Sequence, residues 1–173
     1  MKLNKLIAIA TISLLSGGIS MAQKALNLED IVAGNIIQTK GIGSMTWLKD
    51  GERYSRLENN KQTGGTDIVA YQAKDNSREV IIPSSLLTDK STGKPIPARS
   101  ISWSADNEKV LIYNNTRRVW RYDTRGDYWV LNLKDGALRQ LGKGMPESSM
   151  MFAKFSPDGT RVAYVSNNNI YVE

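Results

Sequence analysis

The segment TRRVWRYDTRGDYWVLNL, residues 116–133, holds four arginines and four aromatic rings in eighteen positions. A guanidinium is a planar, always-charged fork of five N–H donors that suits phosphate, carboxylate or carbonyl oxygens. Three uses of such a stretch compete: a nucleic-acid surface, a β-hairpin whose rings and charges serve folding alone, and a hairpin that offers one arginine to a ligand. Alternation would place Arg118, Trp120 and Tyr122 on one face and Arg117, Val119 and Arg121 on the other. The spacing predicts strands over RRVWRY and DYWVL with the bend at Asp123 to Gly126.

The rest of the chain narrows the chemistry. There is no histidine and no cysteine among the 173 residues. A serine triad needs an imidazole to take the hydroxyl proton, and thiol nucleophiles and His/Cys zinc sites vanish with the same two residue types. No calcium loop or Walker glycine loop is present, so neither metal nor cofactor is expected. Other marks have plainer readings. Glu29 and Asp30 form a carboxylate pair that suits a helix start better than acid–base work. Arg125-Gly126-Asp127 reads as a turn, and the sequon Asn114-Asn115-Thr116 as chance.

Residues 1–22 carry the marks of a cleavable export signal: the basic MKLNK, the apolar LIAIATISLLSGG, and SMA before Gln23. The apolar run is shorter than the roughly 20 residues that a bilayer span requires. The expected product starts after Ala22, is periplasmic or secreted, and has no membrane span. Losing Lys2 and Lys5 leaves 21 basic against 17 acidic residues, a net +4. That is not the dense basic block of a phosphate-tracking protein, and no nucleic-acid partner is expected.

The elements that must position the arginines repeat. MTWLKDGERYSRLENN (45–60), ISWSADNEKVLIYNN (101–115) and AKFSPDGTRVAYVSNN (153–168) each run aromatic, spacer, Asp-Gly or Asp-Asn, then strand. The anchoring Trp47, Trp103 and Phe155 are 56 and 52 residues apart, and each is expected to end a strand on a buried face. A second strand pair follows each unit: DIVAYQAKDNSREVII, DYWVLNLKDGALRQLG and the shorter NIYVE. Two hairpins per repeat make a four-stranded blade. The fold class is all-β, an incomplete β-propeller of about two to three blades over 45–173. A lead-in at 23–44 has helix spacing within ALNLEDIVAGN, PSSLLTDK suits one turn, and DKSTGKPIP reads as a loop. Three repeats fall short of the at least about four blades that close a ring, so the chain is expected to be completed by further polypeptide.

FSPDGTRVAYVSNNNIYVE, preceded by SISWSADNEKVLIYNNTRRVWRYDTRGDYWVLNLKDG and, far upstream, LNLEDIVAGNI, resembles the dipeptidyl peptidase IV branch of the prolyl oligopeptidase family. The resemblance implies an N-terminal eight-bladed propeller capping an α/β-hydrolase domain that removes dipeptides after proline or alanine. It implies that Arg121, following Trp120, matches the propeller arginine that contacts the bound peptide's backbone carbonyl. The family's glutamate pair and its catalytic serine, aspartate and histidine would lie beyond residue 173. The expected role is therefore to gate and position peptide substrates, with no catalytic residue in this chain, and with the rest of the propeller and the hydrolase domain as partners. One departure stands out: the family often continues its arginine with His-Ser, whereas here Tyr122-Asp123-Thr124 follow, leaving open whether Asp123 neutralises Arg121. The alternative is a non-enzymatic periplasmic propeller module that binds a protein partner. A third reading is a peptide-binding homo-oligomer that closes its own ring.

Overall fold

The computed structural model describes residues 27–32, 41 and 43–173. Two compact units divide the chain, Met1–Gly41 and Ile42–Glu173. In the first, the helix expected within the lead-in is present as α1 (Leu28–Val32). The export signal lies outside the described residues.

The second unit is a series of antiparallel sheets. Strands β1 (Met45–Trp47), β2 (Arg53–Asn59), β3 (Thr66–Gln72) and β4 (Arg78–Ile82) follow one another in a four-stranded meander. A 3₁₀ turn at Ser84–Leu87 and a ribbon of β5 (Thr88–Asp89) with β6 (Lys94–Pro95) lead to the next sheet. The loop expected at DKSTGKPIP thus contains this small ribbon. The second meander is β7 (Ser100–Trp103), β8 (Lys109–Val119), β9 (Tyr122–Asn132) and β10 (Leu138–Gln140). The third has β11 (Met151–Phe155), β12 (Val162–Ser166) and β13 (Asn169–Val172). This all-β arrangement is the partial propeller that the repeats predict, with two full blades and three strands of another.

Each repeated motif closes a hairpin by the same chemistry. The turn residue after each aspartate has positive φ: Gly51 at 71°, Asn107 at 59° and Gly159 at 67°. The left-handed region favours glycine and tolerates asparagine. The aspartate holds the turn from inside, as Asp50 Oδ1 accepts from the Glu52 and Arg53 amides at 3.0 Å each. Asp106 Oδ1 accepts from Glu108 N at 2.9 Å and Asp158 Oδ1 from Thr160 N at 3.0 Å. In the second and third blades a serine hydroxyl also donates to the aspartate, Ser104 to Asp106 and Ser156 to Asp158, both at 2.5 Å. That hydroxyl first, then the backbone amide, holds both carboxyls down at about 2.

Strand alternation builds two cores between the blades. Val110, Ile112 and Leu131 of the second blade meet Ile68 and Ile82 of the first. On the opposite face Leu111 and Tyr128 pack with Val162 and Tyr164 of the third. The middle blade is apolar on both faces because both are covered. Burying one Leu- or Ile-sized side chain contributes about 1.5–3 kcal/mol. Trp103, half-buried at the first seam, sends its indole N–H to Ser55 Oγ at 2.9 Å and so ties the second blade to the first. Trp47, expected on a buried face, is instead 56% exposed. Its ring meets the edge of Tyr54 within its own sheet, and no described sheet covers its other side.

Candidate functional site

The arginine-rich segment stands on a device that both complete blades share. In the first, Asp67 at the start of β3 is buried. It accepts from Asn60 Nδ2 at 3.0 Å and from the Ser84 amide at 2.7 Å. In the second, the buried Asp127 accepts from Asn115 Nδ2 at 2.7 Å and from the Ser148 amide at 2.8 Å. Each Asn–Asp pair staples the base of a hairpin loop. Six residues, 61–66, lie between the pair in the first blade, and eleven, 116–126, in the second. The extra five build an arm that the blade itself does not need.

The arm corrects the expected hairpin. β8 and β9 pair through Arg118↔Asp123 and Val119↔Tyr122, so the tip is Trp120-Arg121, not Asp123 to Gly126. Trp120 takes a positive φ of 61° to turn the chain, an uncommon state for a bulky residue. The face assignment that ran through Trp120 and Arg121 fails with it, because both sit in the turn. Gly126 serves packing instead of turning. A Cβ there would lie 2.4 Å from Tyr113 Cε2 and 2.6 Å from the Asn114 carbonyl oxygen. Arg125-Gly126-Asp127 is therefore a strand segment whose aspartate is buried, and Asn114 of the sequon is buried as well.

The arm's inner end is well held. Tyr113 stacks on Tyr128 with centroids 4.7 Å apart, and its hydroxyl donates to the Asp123 carbonyl oxygen at 3.0 Å. Burial first, then the neighbouring Tyr128 and Asp123, pushes the Tyr113 hydroxyl up to about 12, which keeps it a donor. Near the tip Arg118 Nη2 donates to the Arg121 carbonyl oxygen at 3.3 Å. Asp123 pairs with Arg99 at 3.4 Å. Asp123 thus does not neutralise Arg121, whose guanidinium has no hydrogen-bond or ion-pair partner among the described residues. Trp120 is 93% exposed and Tyr122 is also exposed.

Arg99, Tyr113, Arg118, Arg121, Tyr122 and Asp123 line one open groove of about 640 Å³. Three guanidiniums face a single carboxylate there. Sequence reasoning placed Arg121 in this group but missed Arg99, which arrives from the linker before β7. Nothing in ARSISW marks it. The Asn–Asp staple was also missed, although aligning Asn60 with Asn115 and Asp67 with Asp127 reveals it. Glu29 is exposed on α1, in the separate first unit. Among the described residues no group of three or more His, Cys, Asp or Glu is placed to hold a metal ion, and no helix is long and apolar enough to cross a membrane.

Residues 104–173 match the family model for the dipeptidyl peptidase IV N-terminal region. The chain is 28% identical over 157 residues to a probable dipeptidyl-aminopeptidase B of Tuber melanosporum, covering 87% of this chain and 17% of that protein. It is 27% identical over 124 residues to a probable dipeptidyl-aminopeptidase B of Aspergillus oryzae, covering 71% and 13%. The crystal structure of Porphyromonas gingivalis dipeptidyl peptidase 4 superposes with a TM-score of 0.63 at 24% identity, covering 87% of this chain and 20% of that one. The chain therefore spans a fifth or less of the length of these proteins.

Proposed function

We propose that this chain, a dipeptidyl peptidase IV-like N-terminal region, gates and positions peptides for a serine exopeptidase whose reacting groups lie in further polypeptide. It would be exported to the periplasm or beyond. The observation that carries the reading is the free guanidinium of Arg121 at the tip of an arm inserted into an otherwise regular blade. A peptide carbonyl oxygen is the partner this geometry suits, because the arm fixes the Arg121 backbone through Arg118 while leaving the side chain's five donors unused. Without histidine in the chain, general-base activation of a serine by the triad route has no proton acceptor here.

Two assays test this. The purified chain should release no chromophore from a Gly-Pro p-nitroanilide, and turnover would sink the claim that chemistry occurs elsewhere. The peptide Ala-Pro-Ala-amide, which has no carboxylate, should bind it, and Arg121→Ala should weaken binding roughly tenfold, as expected for losing one hydrogen bond from a charged donor. Equal binding by the variant, with an unchanged thermal midpoint, would remove Arg121 from the site.

A further inference from the structure

We infer that the groove beside Arg121 is a carboxylate subsite, so that the peptides it favours carry an anionic group within reach of Arg118 and Arg121. The inference rests on the peptide-positioning reading and names the substrate class for the same site.

Charge and partner accounting carry it. Of the four charged side chains that line the groove, Arg99, Arg118 and Arg121 are cationic and Asp123 alone is anionic. Asp123 is engaged, though loosely, with Arg99 at 3.4 Å. Arg118 spends one donor on a neutral carbonyl and Arg121 spends none on any described residue. Asp127 does not line this groove, and its two oxygens are held by Asn115 and Ser148. A net excess of two positive charges therefore stands over the groove.

The arm also carries a cost that folding alone does not explain. Arg117 and Arg125 are direct cross-strand partners, and like charges opposite each other destabilise a strand pair. Four arginines on one short arm raise the local potential and draw anions towards it. A guanidinium fork grips a carboxylate through two parallel bonds, whereas a single carbonyl oxygen engages it less fully. Tyr122 beside the tip adds a hydroxyl along the same groove, whereas the Tyr113 hydroxyl is already donated to the Asp123 carbonyl oxygen.

Two sources share this chemistry: the free C-terminus of a short peptide and an acidic side chain near its start. Titration calorimetry of the purified 173-residue chain separates them with two matched pairs of peptides. Ala-Pro-Ala acid against its C-terminal amide tests the terminus, and Ala-Pro-Glu-amide against Ala-Pro-Gln-amide tests the side chain. We expect at least one carboxylate-bearing member to bind about fivefold or more tightly than its carboxylate-free twin, with the gap shrinking in 0.5 M salt. Arg118→Gln should abolish the gap, and Arg118→Lys should keep part of it. Both variants change an exposed side chain, and their unfolding midpoints serve as the control.

If each carboxylate-bearing peptide binds no better than its carboxylate-free twin while the twins still bind, the carboxylate subsite is refuted and the carbonyl role of Arg121 stands. If no peptide binds, both fail. A carboxylate preference that survives both Arg118→Gln and Arg121→Gln lies elsewhere on the surface and also overturns the inference.

Discussion

Replacing Asp127 by alanine removes the acceptor that staples the arm to its blade. Asp127 is 6% exposed and its carboxylate takes two donors, Asn115 Nδ2 at 2.7 Å and the Ser148 amide at 2.8 Å. A hydrogen bond to a charged group contributes about 1.5–3 kcal/mol, and an orphaned buried donor costs a similar amount. Taking the low end for each of the two bonds gives a loss of about 3 kcal/mol for Asp127→Ala. With a urea m-value of about 1.5 kcal/mol/M, the midpoint should fall by roughly 2 M. Asp67 provides an internal control, because it makes the same two bonds to Asn60 and Ser84. Asp67→Ala should cost the same to within about 1 kcal/mol. Asp127→Asn, which keeps one accepting oxygen but no charge, should fall about midway. Urea unfolding followed by tryptophan fluorescence reads all three. A midpoint for Asp127→Ala within about 0.3 M of the parent would refute the staple.

Gly126→Ala should destabilise by about 1–3 kcal/mol, the usual cost of overpacking, because the Asn114 carbonyl that its methyl meets is backbone and cannot swing aside. Near-UV circular dichroism of the Tyr113–Tyr128 stack should change with it. Acid sensitivity follows from Asp106 and Asp158, held at about 2 in the fold against about 3.9 unfolded. Their folded pKa values are depressed, so the stability they contribute is fully present above about pH 4 and is lost as pH falls towards 2. Urea midpoints measured at pH 5, 3 and 2 should show that decline, and the double variant Ser104→Ala, Ser156→Ala should flatten it. N-terminal sequencing of the exported product should begin at Gln23, and an intact residue 1 on the mature protein would refute the cleavage site.

The repeat was legible because its parts are local. An aromatic, an Asp-Gly or Asp-Asn turn and an alternating strand each follow from short-range sterics, and Gly51, Asn107 and Gly159 all adopt the positive φ that the turn requires. The tip of the arm was not legible in that way. Asp123 to Gly126 has the composition of a bend, but Gly126 is a glycine for contact with Tyr113, while the real turn forces Trp120 into a conformation that its type does not advertise. Register decided the matter over composition. Once Asn115 and Asp127 are matched to Asn60 and Asp67, the inserted span 116–126 must fold back on itself near its middle, at residue 121. The exposure of Trp47 was hidden for another reason: burial of a blade's outer face depends on a neighbouring sheet, and Trp47 has the same local pattern as Trp103. Arg99 carried no signal, since its place in the groove depends on how β7 sits beside the arm.

The paired Asn–Asp staples make the arm a replaceable cassette. Both ends of the inserted span are fastened by the same bonds that close the six-residue loop in the first blade. Chain-closure entropy changes slowly with length, so going from six residues to eleven costs only roughly 0.5 kcal/mol. The converse is open to engineering: grafting KQTGG from 61–65 in place of 116–125, with Gly126 kept for its contact with Tyr113, would yield a blade that still folds yet has lost Trp120, Arg121 and their groove. The loop on this scaffold can then change length while the sheets stay constant.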